Sequence, residues 1–83
     1  MKENEIQELL LNFISRNFLV AKTDIIMDKS LIDMGVIDSM GLIEIATFIE
    51  NNFSFKIQEA HMTRDNFGSV LKMVAFIKKQ TAK

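Results

Sequence analysis

The chain has 83 residues, 48% of them hydrophobic, and a net charge of −1, which fits one small folded domain and excludes intrinsic disorder as the main reading. It contains no cysteine and one histidine, so a disulfide framework, a thiolate zinc site, a cysteine nucleophile and a His-rich metal centre are all excluded. Charge is unevenly spread. Between Ser30 and Phe55 the charged residues are Asp33, Asp38, Glu44 and Glu50, whereas from Val70 onward they are Lys72, Lys78, Lys79 and Lys83. An acidic middle suits a basic protein partner and opposes nucleic acid.

The first periodic segment runs from about Glu3 to Asn17. Ile6, Leu9, Leu10, Phe13 and Ile14 recur at steps of three and four, with Glu5, Gln7, Glu8, Asn12 and Arg16 between them, which predicts an amphipathic helix. Phe18, Leu19 and Val20 are expected to close over the core at its end. No unbroken apolar stretch of signal-peptide or membrane-spanning length occurs, so the expected location is the cytoplasm, without membrane insertion.

From Ala21 to Asp38 the period breaks. Lys22-Thr23-Asp24 and Asp28-Lys29-Ser30 are turn-like, while Leu31, Ile32, Met34, Val36 and Ile37 follow no single period. A long loop with its own apolar anchors is predicted, and long loops in small domains are commonly functional. A second helix is expected from about Ser39 to Asn52, with Leu42, Ile45, Ala46, Ile49 and Phe53 on its inner face and Asp38 or Ser39 as N-cap. A short helical segment near Gln58–Met62 follows, then a turn at Thr63-Arg64-Asp65-Asn66. A last helix, from near Ser69 to about Lys79, has Val70, Met73, Val74 and Ile77 as its inner stripe, and Ser69 as its cap. With no proline to interrupt them, these elements predict an all-α fold. It is a small four-helix bundle of three principal helices and one short one, with a long ordered loop between the first two.

The stretch Ser30-Leu31-Ile32-Asp33-Met34-Gly35-Val36-Ile37-Asp38-Ser39-Met40 brings a serine to the mouth of an amphipathic helix. No His or Lys lies near Ser39 in sequence to act as its base, and an unassisted hydroxyl is a poor nucleophile at neutral pH. Ser39 therefore reads as a group modified by another enzyme, and the chain as a non-enzyme.

In these residues the chain resembles the acyl and peptidyl carrier proteins. Ser30-Leu31, Gly35 and Asp38-Ser39-Met40 stand at the family's spacing. The likeness continues through Glu44, Ile45, Ile49, Glu50, Phe53 and Ile57 to Asn66-Phe67-Gly68-Ser69-Val70, so that one carrier domain spans 1–83. The Gly-Val-Ile-Asp-Ser form is most similar to discrete carriers served by adenylating ligases, including the D-alanyl type.

The resemblance implies that a phosphopantetheinyl transferase places 4′-phosphopantetheine from coenzyme A on Ser39, with Asp38 beside it. The arm would hold acyl or aminoacyl groups as thioesters for adenylating ligases or synthases that dock transiently on a monomer. It further implies that Met40, Ile43 and Thr47 are contact positions and that Glu44 and Glu50 supply charge. Thr47, Asn51 and Asn52 stand where fatty-acid carriers have more acids or a larger apolar residue, which favours a dedicated partner set. Two other readings compete: an unmodified helical interaction module, and a small nucleic-acid-binding domain supported only by the C-terminal lysines.

Overall fold

Helix α1 occupies Glu3–Phe18 in the computed structural model, which describes residues 2–82. Its apolar stripe buries Ile6, Leu10, Leu11 and Ile14, while Leu9 and Phe13 are half-buried. The Lys2 backbone N–H donates to Glu5 Oε1 at 2.9 Å, so an acid in the first turn closes the helix start. The C-terminal end departs from expectation. Leu19 takes a left-handed conformation (φ 55°) and is 93% exposed, so it does not close over the core. The helix has to stop here for the loop to turn back, and Leu19 absorbs the reversal where Gly is the usual residue.

The connection from 19 to 38 is ordered by its own hydrogen bonds. A 3₁₀ turn spans Lys22–Asp24. The Lys22 ammonium donates to Glu8 Oε2 at 3.1 Å and Asn12 Oδ1 at 2.8 Å, pinning the turn to the outside of α1. Ser30 Oγ accepts from the Asp33 N–H at 3.2 Å, and the Leu31 carbonyl accepts from Val36 at 3.0 Å and from Ile37 at 3.4 Å. This tight winding needs a positive φ at Gly35 (76°), which glycine adopts without a Cβ penalty. Ile25, Leu31 and Ile37 are the buried anchors, whereas Ile26 and Ile32 remain exposed.

Helix α2 runs over Ser39–Phe53 and buries Gly41, Ile45, Ala46 and Ile49. Gly41 lies at a close approach. A Cβ there would sit 2.9 Å from Ile37 Cβ and 3.0 Å from Phe18 Cε1, so the end of α1, the end of the loop and the start of α2 meet around a missing methyl. The helix stops at Ser54 in a left-handed conformation (φ 58°), with its N–H donated to the Glu50 carbonyl at 3.2 Å.

The third region differs in detail from expectation. The segment expected to be helical near Gln58–Met62 holds only a 3₁₀ turn at Glu59–His61, and the expected turn at 63–66 is instead the start of α3, Arg64–Phe67. One turn carries too few residues to reveal a period, and Phe67 is the sole buried residue of α3. Helix α4 spans Val70–Thr81 and buries Val70, Met73, Val74, Phe76 and Ile77. The buried Ser69 caps it, Oγ accepting from Lys72 N–H at 3.2 Å, and the free N–H of Leu71 donates to the Met27 carbonyl of the long loop at 3.1 Å.

The three long helices and the loop share one core, in which Ile6, Leu10 and Ile14 of α1 meet Leu31, Ile45, Ile49, Val70, Met73 and Ile77. Phe13 stacks on Phe48 at 4.2 Å between ring centres, and Phe18 meets Phe13 edge-on. A second aromatic group gathers Phe55, His61 and Phe67 around Phe76. His61 is thus half-buried against the Phe76 ring. Among the described residues no buried side-chain polar atom lacks a hydrogen-bond partner.

Candidate functional site

The site is built on the start of α2. Asp38, in extended conformation, is the N-cap: its Oδ1 accepts from the Gly41 N–H at 2.9 Å, and its carbonyl accepts from Leu42 at 3.1 Å. Ser39 is then the first residue within the helix and is exposed, its hydroxyl free of hydrogen bonds among the described residues. This division of labour matters. The cap is supplied by Asp38, so nothing in the helix start requires an oxygen on residue 39.

Among the described residues the N–H groups of Ser39 and Met40, in this first turn, have no acceptor. They lie where the helix dipole favours an anion, a phosphodiester on Ser39 included. An open cleft of ≈ 520 Å³ lies beside this helix start, with Phe18, Gly35–Asp38, Met40 and Glu44 among its walls. An exposed hydroxyl, an open cleft and free backbone donors together fit a bulky phosphate ester at this position. A second, more enclosed cavity of ≈ 140 Å³ lies between the loop, α2 and α3, with Leu31, Ile37, Leu42, Met62 and Phe67 among its walls. Among the described residues no cluster of His, Cys, Asp or Glu could hold a metal ion.

The remaining sequence-predicted residues fall on α2 below Ser39. Met40 is 67% and Ile43 54% exposed, large apolar side chains left outside the core on the serine's flank. Glu44 and Thr47 are also exposed, the Thr47 hydroxyl donating to the Ile43 carbonyl at 3.1 Å. Glu50 is different. It is half-buried, and its Oε2 accepts from the Ile57 N–H at 2.8 Å. Sequence reasoning missed that bond, and it missed the cleft walls Phe18 and Val36. The signal for the cleft was Gly41, a glycine inside an otherwise strong helical pattern, which marks close approach of another segment.

A helical bundle with an ordered crossover and an exposed serine just past an N-cap aspartate is a carrier-protein arrangement, and the chain belongs to the acyl carrier protein domain family. Its residues 1–83 match the family described as the C-terminal ACP domain of the highly reducing polyketide synthase sdgA. It is also similar to the D-alanyl carrier proteins of Streptococcus pyogenes serotype M5 (strain Manfredo), serotype M49 (strain NZ131) and serotype M1. Each is 32% identical over 69 residues, which cover 83% of this chain and 86% of the relative. The family is one of carriers rather than catalysts, and its members typically bear phosphopantetheine. Among the described residues no helix is long and apolar enough to cross a membrane.

Proposed function

We propose that this protein is a discrete carrier that holds an acyl or aminoacyl group as a thioester on a 4′-phosphopantetheine arm attached to Ser39. The observation that carries the reading is the free, exposed Ser39 hydroxyl beside an aspartate that already caps the helix. In the modification, Ser39 Oγ forms a bond to the phosphorus of coenzyme A that bears the pantetheine. The bond from that phosphorus to 3′,5′-ADP breaks, and the hydroxyl proton passes to the transferase. The arm then supplies a terminal thiol for thioester exchange, while the chain supplies orientation and recognition.

Met40, Ile43, Glu44 and Thr47 form the surface a partner meets, with exposed apolar side chains for contact and Glu44 for charge. The loading partner is an adenylating ligase that activates an amino acid or small acid, a reading supported by the likeness to D-alanyl carrier proteins. The protein works as a monomer in the cytoplasm, meeting its enzymes transiently. Incubation with coenzyme A and a broad-specificity phosphopantetheinyl transferase, followed by intact mass measurement, is expected to add one arm to the parent and none to Ser39→Ala. An unchanged parent mass would remove the reading and leave an unmodified interaction module in its place.

A further inference from the structure

We propose that Glu50 is a positioning residue: its carboxylate holds the backbone of Ile57 and so shapes the groove a partner enters below Ser39, instead of steering that partner by its charge. The inference rests on the carrier reading above. It assigns Glu50 a task different from that of exposed Glu44.

Four observations carry it. Glu50 Oε2 accepts from the Ile57 N–H at 2.8 Å, across the end of α2 and a left-handed Ser54. Among the described residues no other hydrogen bond ties residues 55–57 back to α2, so this bond fixes the Ile57 end of a segment whose Phe55 end packs on Phe76. Glu50 is half-buried and its carboxylate is engaged in this charge-assisted hydrogen bond, whereas Glu44 is exposed. It also sits in the last turn of α2, where the helix dipole disfavours a carboxylate unless the group is otherwise engaged.

The held segment has a consequence for the surface. A groove of ≈ 200 Å³ runs beside α2, lined by Ile43, Thr47 and Glu50 itself from the helix and by Ile57 and Met62 from the returning chain. Ile43 lies four residues beyond Ser39, and thus about one helical turn along the same face. If Ile57 moves outward, the far wall moves with it. An apolar side chain of a docking enzyme then loses its seat, although Ser39 itself is untouched.

The full-length protein, Glu50→Gln and Glu50→Ala separate the two roles, because glutamine keeps an acceptor oxygen and loses the charge. Exchange of the Ile57 amide hydrogen, followed by NMR without any transferase, is expected to be about tenfold faster in Glu50→Ala and within about threefold of the parent in Glu50→Gln. In arm transfer from coenzyme A, Glu50→Ala is expected to raise KM about tenfold at nearly constant kcat. Glu50→Gln should restore most of that loss and keep the parent's salt dependence.

Unaltered Ile57 exchange in Glu50→Ala would overturn the proposal, whatever the transferase does. So would a Glu50→Gln protein as impaired as Glu50→Ala with a flattened salt dependence, because charge would then be the operative property. A parent that accepts no arm would defeat the carrier reading, while Ile57 exchange would still decide the role of Glu50.

Discussion

Leu19 is a residue whose conformation and exposure both run against its chemistry. A non-glycine residue in the left-handed region costs about 1–2 kcal/mol, and a side chain that is 93% exposed recovers none of this through packing. Leu19→Gly is therefore expected to raise stability by about 1 kcal/mol in urea denaturation, part of the relief being offset by the greater freedom of glycine in the unfolded chain. Nothing in the sequence announced this. Phe18-Leu19-Val20 reads as an apolar cluster, and only the backbone reversal at the end of α1 turns its middle member outward. The exposed place of Ser39 at the start of α2 was legible by contrast, because its cues are local: an acid before it and an apolar stripe after it. Glu50 was only half legible. Its acidity and place on α2 are in the sequence, but its bond to Ile57 spans seven residues across a helix end and depends on where the chain returns.

At the scale of the element, the start of α2 separates two roles that the sequence left joined. Either Asp38 or Ser39 suits an N-cap on chemistry alone, and geometry gives the task to Asp38. Asp38→Ala is expected to cost about 1 kcal/mol of stability and Asp38→Asn only a few tenths, both read from thermal unfolding of the unmodified protein. Helices α1, α2 and α4 were readable because each repeats its apolar residues over three or more turns. The stretch from Gln58 to Phe67 was not. It splits into a 3₁₀ turn and a single α-turn, each shorter than the period that would reveal it, and it is held by packing around Phe76 and by Asn66 Nδ2 donating to the His61 carbonyl at 2.9 Å.

Across the whole molecule the charges divide as the sequence implied. Glu44 is exposed on α2 below the serine, while Lys72, Lys78 and Lys79 are exposed on α4, which carries no acid among its described residues. Glu44→Gln is expected to raise the KM of the transferase several-fold at low salt, with the difference shrinking as ionic strength rises. Replacing Lys78 and Lys79 with Gln should leave arm transfer within about twofold of the parent. Steady-state kinetics at two salt concentrations checks both.

The vacancy at residue 41 links parts of the protein that are far apart in sequence. The ring of Phe18 and the side chain of Ile37 fill the space a methyl would need, so Gly41→Ala alone should be destabilising, by about 1–3 kcal/mol. Trimming the ring opens that same space. Phe18→Ala combined with Gly41→Ala is therefore expected to lose less stability than the two single changes added together, a coupling of about 1 kcal/mol in a double-mutant cycle. Two substitutions that are each harmful would partly rescue one another, and sequence variation at the tail of the first helix would be free to travel with variation two residues past Ser39.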